Sequence, residues 1–240
     1  MTRSARVEAH EDAHAAARAG AEAFAAAARA AVEARGRFSV ALSGGTAPRE
    51  MYSLLADDGR IPWEAVHLFW GDERCVPPGH PRSNHAMAHD AFIRRVPIPA
   101  GNVHRMRGEL PAEEGAARYR EELAAFFGPG VPRFDLVHLG LGPDAHTCSL
   151  FPFDPLLRER GLTVAPAVMR ELGEPRITFT FPVVNAAARV EMFVVGEGKA
   201  EVLRKVLRGP LDPFRLPAQL VRPVGGEYVW VVDRAAAASV

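Results

Sequence analysis

The chain has 240 residues, 29 basic and 29 acidic, and a formal net charge of zero. With 48% hydrophobic and 24% charged residues it has ordinary globular composition and enough length for a substantial core. Lack of a basic excess argues against a general nucleic-acid binder. No run of about 18 apolar residues offers a membrane span, and two cysteines without a C-x-x-C motif make neither a disulfide scaffold nor a zinc ribbon.

The first twenty residues, MTRSARVEAHEDAHAAARAG, are polar and acidic, without the apolar core of an export signal; a cytoplasmic protein is expected. Residues 7–35 are alanine-rich and free of proline, with Val7, His14, Ala21, Phe24, Ala28 and Val32 on one face. They predict one long amphipathic helix stopped by Gly36. A buried strand is expected at 38–42, a helix at 48–56 opened by Pro48, a strand at 66–70, and a helix at 83–94 after a proline-rich loop. A short strand is read at 103–106, a helix at 111–127 ended by Gly128, and a strand at 134–139. Residues 162–168 and 176–181 read as a peripheral β pair. A strand at 190–195, a helix at 198–207 and a strand at 228–232 complete the pattern. Strands alternating with helices, the strands nearly continuous in apolar residues, predict an α/β fold. Its sheet is mostly parallel with helices on both faces, and a small peripheral β element is added. One domain over residues 1–240 is expected.

In open α/β sheets ligands bind beyond the carboxyl ends of the strands, and four such ends carry chemistry. After Leu42 comes Ser43-Gly44-Gly45-Thr46 before a helix. Glycines let the backbone approach a ligand, and free N–H groups with the helix dipole favour an anion; taken alone, it also fits a plain strand–helix turn. After Trp70 comes Asp72-Glu73-Arg74, either a solvated loop or an arginine aimed at an anion and held by carboxylates. After Leu139 comes Gly140-Leu141-Gly142-Pro143-Asp144-Ala145-His146-Thr147. There a histidine able to move a proton near neutral pH stands beside a carboxylate that can orient it. After Val195 comes Gly196-Glu197-Gly198-Lys199, a lysine at the positive end of a helix, a mild cost that an anion would offset. Lys199 and Lys205 are the chain's two lysines. A parallel sheet sets these four ends along one edge, which makes a site for an anionic small molecule with an acid/base group beside it. His85 and His89, four apart on a helix, read as a polar face rather than metal ligands. Cys75 and Cys148 read as small fillers rather than nucleophiles, and Ser43 lacks a G-x-S-x-G context.

These stretches resemble the 6-phosphogluconolactonase family. The residues that carry the resemblance are Ser43 to Pro48, Asp72 to Pro77, Ser83-Asn84, Gly140 to Pro152, Arg176 to Thr178, Gly196 to Lys199 and Leu216 to Ala218. Their order and spacing fit from about residue 8 to 233. The resemblance implies a Rossmann-like α/β fold shared with glucosamine-6-phosphate deaminase and ribose-5-phosphate isomerase. It implies hydrolysis of 6-phosphogluconolactone, in the oxidative pentose phosphate pathway, with no metal or organic cofactor. On these positions it implies His146 as general base, Asp144 as its orienting carboxylate, and Arg74 and Asp72 in the catalytic set. Ser43, Gly44, Gly45, Thr46, Asn84, Arg176 and Lys199 would hold the substrate and its phosphate. Asp72 is expected to position Arg74 or a sugar hydroxyl; Arg74 is left open between phosphate and oxyanion. The partner implied is a phosphorylated sugar lactone, with no nucleic acid and no membrane, for a monomer or a homodimer. Two departures from the family stand out: Ala145 where glycine is usual, strained if the position needs a positive φ, and Ala47 where a hydroxyl is common. Two features separate the chain from the deaminases: the stretch after His146 lacks their catalytic glutamate, and Arg74 follows Asp-Glu where they carry tyrosine. The alternatives are another sugar-phosphate enzyme of this superfamily and a non-catalytic sugar-phosphate sensor.

Overall fold

The computed structural model describes residues 5–169 and 173–240; the start of the polar N-terminus read above lies outside these residues. In chain order the main elements are β1 (Arg6–His10), α1 (Ala13–Arg35), β2 (Phe38–Leu42), α2 (Thr46–Leu55), β3 (Val66–Trp70), β4 (Asp72–Arg74), α3 (Asn84–Ala91) and α4 (Ala112–Phe127). They continue with β5 (Leu136–Gly140), β6 (Val164–Met169), β7 (Glu174–Phe179), α5 (Phe181–Ala186), β8 (Arg189–Val194), α6 (Ala200–Arg208) and β9 (Glu227–Asp233). Six strands form one parallel sheet in the order β1-β9-β8-β5-β2-β3, and β4-β7-β6 form a small antiparallel sheet. This is the α/β architecture with a peripheral β element that the alternating pattern predicts. Every residue of β2 is buried, as a strand covered on both faces requires. No helix among the described residues is long and apolar enough to cross a membrane.

Local chemistry sets the ends of α1. The Asp12 side chain accepts the Ala15 N–H at 2.7 Å, an N-cap that satisfies one of the free donors of the first turn. Gly36, at φ 73°, closes the other end in the left-handed region. The helix buries Ala16, Ala17, Ala21, Ala25 and Ala28 around Phe24; small side chains let it lie close to the sheet. Phe24 meets Phe38 of β2 edge to face at 5.3 Å.

The structure corrects several boundaries. The helix expected from residue 7 starts at Ala13; residues before Asp12 pair instead with β9, Val7 opposite Trp230. Alanine periodicity ran past the cap signal, and β1 is an edge strand mostly open to solvent, so its apolar alternation is weak. The strand expected at 103–106 is reduced to a single bridge between Val103 and Leu68. Residues 72–74, read as a loop, form β4. The helix expected at 83–94 ends at Ala91, and that expected at 48 begins at Thr46.

At the opposite edge of the sheet, His67 at the start of β3 stacks against His104. His104 Nδ1 lies 2.9 Å from a Glu122 carboxylate oxygen and so donates to it. Its Nε2 then accepts from His67 Nδ1 at 3.1 Å. Burial, then the nearness of His104, which would repel a second positive charge once protonated, and of Arg37, pushes the His67 pKa down to about 4. An unfolded histidine titrates near 6.5, so between about 6.5 and 4 the unfolded chain binds more protons. Stability falls as pH drops through that window. Urea titrations at pH 7 and 4.5 should show a smaller loss for His67→Phe than for the unaltered chain; equal losses would remove His67 from the acid response.

Candidate active site

β2 and β5 are neighbours, with Val40 opposite Leu136, yet the chain leaves them in opposite directions. β2 continues to β3 on one side, and β5 continues to β8 on the other. A crevice opens at the carboxyl ends of strands whose connections diverge in this way. Here it is a cavity of about 240 Å³. The loops after β2, β3, β5 and β8 all reach it, bringing Ser43 to Thr46, Asp72, Arg74, Asn84, His146, Arg176 and Lys199 to one wall or another. Asp144 lines a neighbouring groove with Phe151 and Lys205 and meets the cavity through His146.

The Ser43–Thr46 loop leads straight into α2. Gly45, at φ 109°, stands at the N-cap and supplies no side-chain cap, so the first N–H groups of the helix have no capping partner. Gly44 is demanded by packing: a Cβ there would lie 2.0 Å from Asn84 Oδ1. The Ser43 hydroxyl is buried without a protein hydrogen-bond partner.

The second wall is built by register. β4 and β7 pair so that Arg74 stands directly opposite Arg176, and both residues line the cavity. Their Nε atoms are both buried without a protein partner. Glu174 bonds both Arg82 and Arg176, and Arg74 Nη1 donates to the Arg82 carbonyl at 2.5 Å, so the arginines are held from behind. Glu73, between the two cavity-lining residues of β4, is buried. It accepts from the backbone N–H of Arg74, Asn84 and His85 and from the Ser83 hydroxyl. Burial raises its pKa, against those hydrogen bonds. The carboxylate therefore ties β4 to the start of α3. Asp72 accepts from Ser149 Oγ at 2.7 Å and from Asn84 Nδ2 at 3.3 Å. It is these groups, and not Arg74, that Asp72 holds.

On the third wall His146 Nδ1 lies 2.5 Å from Asp144 Oδ1. A carboxylate can only accept, so Nδ1 carries the proton and Nε2 is the nitrogen with a free lone pair. Burial raises the Asp144 pKa, but the His146 hydrogen bond and charge outweigh it, and the carboxyl is lowered overall. Gly142 makes room: a Cβ there would meet His146 Nδ1 at 2.1 Å. The His146 ring packs on Phe151 at 4.8 Å. Lys199 Nζ donates to the Leu141 carbonyl at 2.7 Å, and burial lowers its pKa against the attraction of Asp144. Cys148 lines the cavity, but burial and then Asp72 push its thiol well up; burial likewise raises Cys75 to about 11. Neither is an activated thiolate. His85 and His89 line a separate pocket, their rings 6.0 Å apart.

Sequence reading missed Glu73, Glu174 and Ser149. Glu73 had one available signal, the Ser83-Asn84 helix start it caps; the positions of the other two depend on strand pairing.

Fold and cleft together define an α/β enzyme with an arginine-lined wall and a histidine–carboxylate pair on one cavity. The family model for glucosamine-6-phosphate isomerases/6-phosphogluconolactonase matches residues 11–230, and the chain belongs to that family. It is 43% identical over 215 residues to 6-phosphogluconolactonase of Nostoc, covering 87% of both chains. It is 43% identical over 210 residues to the human enzyme of that name, covering 85% of this chain and 81% of the other. The crystal structure of 6-phosphogluconolactonase from Thermotoga maritima superposes with a TM-score of 0.84 at 29% identity, over 96% of this chain and all of the other. A monomeric glucosamine-6-phosphate deaminase shares the fold, with a TM-score of 0.80 at 17% identity, over 98% of this chain and all of the other.

Ala145 has φ 65° and is completely buried. The left-handed region costs a non-glycine residue about 1–2 kcal/mol. Replacement by glycine would lose a buried methyl worth about 0.8 kcal/mol and add about 0.5–1 kcal/mol of chain entropy cost. Ala145→Gly should therefore change stability by less than about 1 kcal/mol, a melting shift of at most about 4 °C. A larger gain in thermal unfolding would show that strain dominates.

Proposed function

We propose that the chain hydrolyses 6-phospho-D-glucono-1,5-lactone to 6-phospho-D-gluconate, with His146 as general base. The observation that carries this reading is the His146–Asp144 pair on the same cavity as the Ser43–Thr46 loop, Arg74, Arg176 and Lys199. Its closest support from relatives is the run of 6-phosphogluconolactonases at about 40% identity. A deaminase reading has less support, because Thr147-Cys148-Ser149-Leu150-Phe151-Pro152 offers no carboxylate after the histidine.

In this mechanism the helix N-terminus at Gly45–Thr46, Arg176 and Lys199 hold the phosphate at C6. Arg74, alongside Arg176, adds positive charge to the same wall. His146 Nε2 removes a proton from water as the oxygen attacks C1. Asp144 keeps the opposite nitrogen protonated and stabilises the imidazolium that forms. When the tetrahedral intermediate collapses, the bond between C1 and the ring oxygen breaks, and the imidazolium returns its proton to that oxygen. Asp72, fixed by Ser149 and Asn84, offers a carboxylate to a sugar hydroxyl. Water supplies the nucleophile and the protons balance, so the residues named suffice for the chemistry. The 240 residues act as one unit in this reading, for every wall of the cavity comes from the strand ends of the two sheets and the start of α3.

His146→Ala should lower kcat by about 10²–10⁴-fold with little change in melting temperature. Activity near that of the unaltered chain, assayed on freshly generated lactone, would sink the assignment. Lys199→Ala should mainly raise KM; an unchanged KM would remove Lys199 from phosphate binding.

A further inference from the structure

Beneath the Ser43 loop runs a chain of buried polar groups that the proposed chemistry does not use. The Ser43 backbone N–H donates to Tyr52 Oη at 3.0 Å. Tyr52 Oη lies 3.4 Å from His138 Nδ1, and the two rings pack with centroids 5.8 Å apart. His138 Nε2 lies 3.3 Å from Glu191 Oε2, close enough for a charge contact though angled off a straight hydrogen bond. Glu191 Oε1 accepts from Arg189 Nε at 2.7 Å. Tyr52 and Glu191 are completely buried and His138 nearly so. The chain crosses from α2 through β5 to β8, the strands on one side of the crevice.

Its proton positions are forced from one end. Glu191, lowered by His138 and Arg189 against its burial, is ionised and can only accept. With His138 neutral, a bare lone pair on Nε2 facing Glu191 would be repelled, so Nε2 carries the ring proton and Nδ1 is the acceptor. Tyr52 must then donate its hydroxyl proton to Nδ1, which leaves its oxygen lone pair for the Ser43 N–H. Buried charge of this kind is weak support for stability, since apolar substitutes of similar volume are often as good or better. What the chain does settle is the direction of one peptide unit: the Ser43 N–H is turned inward. The Ser43 hydroxyl is buried on the same inward side, and the following Gly44–Thr46 residues line the cavity.

We propose that Tyr52, His138 and Glu191 are positioning residues for the phosphate end of the substrate, acting through Ser43. None touches the reacting atoms or the phosphate. The network fixes the loop before substrate arrives, so the N–H groups that meet the phosphate need not be ordered at the moment of binding. This rests on the reading above that the Ser43–Thr46 loop takes phosphate.

The test compares two substrates, 6-phospho-D-glucono-1,5-lactone and unphosphorylated D-glucono-1,5-lactone, with purified full-length chain. The unaltered chain should have much the higher kcat/KM on the phosphorylated lactone. If it shows no such preference, the phosphate reading falls and this proposal with it. Given the preference, Tyr52→Phe removes one neutral hydrogen bond and should raise KM for the phosphorylated lactone by about 3- to 10-fold. Its kcat, and its activity on the unphosphorylated lactone, should stay within about twofold. An equal loss on both lactones, or a fall in kcat at unchanged KM, overturns the positioning role while leaving the phosphate reading intact. His138→Gln should also raise KM, and in the Tyr52→Phe background it should add no more than about twofold, as coupled residues do. Fully multiplicative effects would show that His138 does not act through Tyr52. Should His138→Gln fail to fold, the Tyr52→Phe comparison decides alone.

Discussion

The divergence of the chain at β2 and β5 is the constraint on which the site depends. Two parallel strands lie side by side, and the segments that leave them turn apart, so no connection crosses the gap between their carboxyl ends. Everything polar in the cavity is delivered to that gap from strand ends whose depth and direction the sheet has already fixed. The Ser43 loop follows β2 and the His146 loop follows β5. The arginine wall comes from the small antiparallel sheet, joined to the main one where Gly71 donates to the Leu42 carbonyl and Phe179 donates to the Gly71 carbonyl.

Precision at the site is bought with backbone rather than with bulk. Gly44 yields space to Asn84, and Gly142 yields space to His146 and Asp144. Ala145 accepts a conformation few side chains tolerate, between Asp144 and His146. Three carboxylates then do different work according to what surrounds them. Asp144 meets a histidine, Asp72 meets a hydroxyl and an amide, and Glu73 meets the free N–H groups of a helix start. The same chemical group orients an imidazole, braces a wall and joins a strand to a helix.

Much of this was legible in the chain itself, because it is local. Strand ends followed by glycines, a hydroxyl-rich turn before Pro48 and the Asp144-Ala145-His146 run announce themselves within a few residues, and the parallel sheet follows from apolar runs alternating with helices. The misreadings have physical causes. β1 is an edge strand with little apolar alternation, and the alanine pattern of α1 continued through it. β4 is three charged residues long, and only its pairing with β7 makes it a strand. The facing of Arg74 and Arg176 is a matter of register, which no local pattern encodes. The line from Ser43 to Glu191 joins residues far apart in sequence, each of which, read alone, is an ordinary core side chain.

The register that sets Arg74 opposite Arg176 carries a wider consequence. Like charges set directly across a strand pair weaken that pair, so the β4–β7 ladder holds in spite of the rung at its end. Glu73 and Glu174 brace that rung from outside the cavity. A sequence tuned for durability alone would place neutral or opposite partners there. That rung is therefore one that strand pairing alone would not favour, and it depends on the carboxylates that hold its two strands.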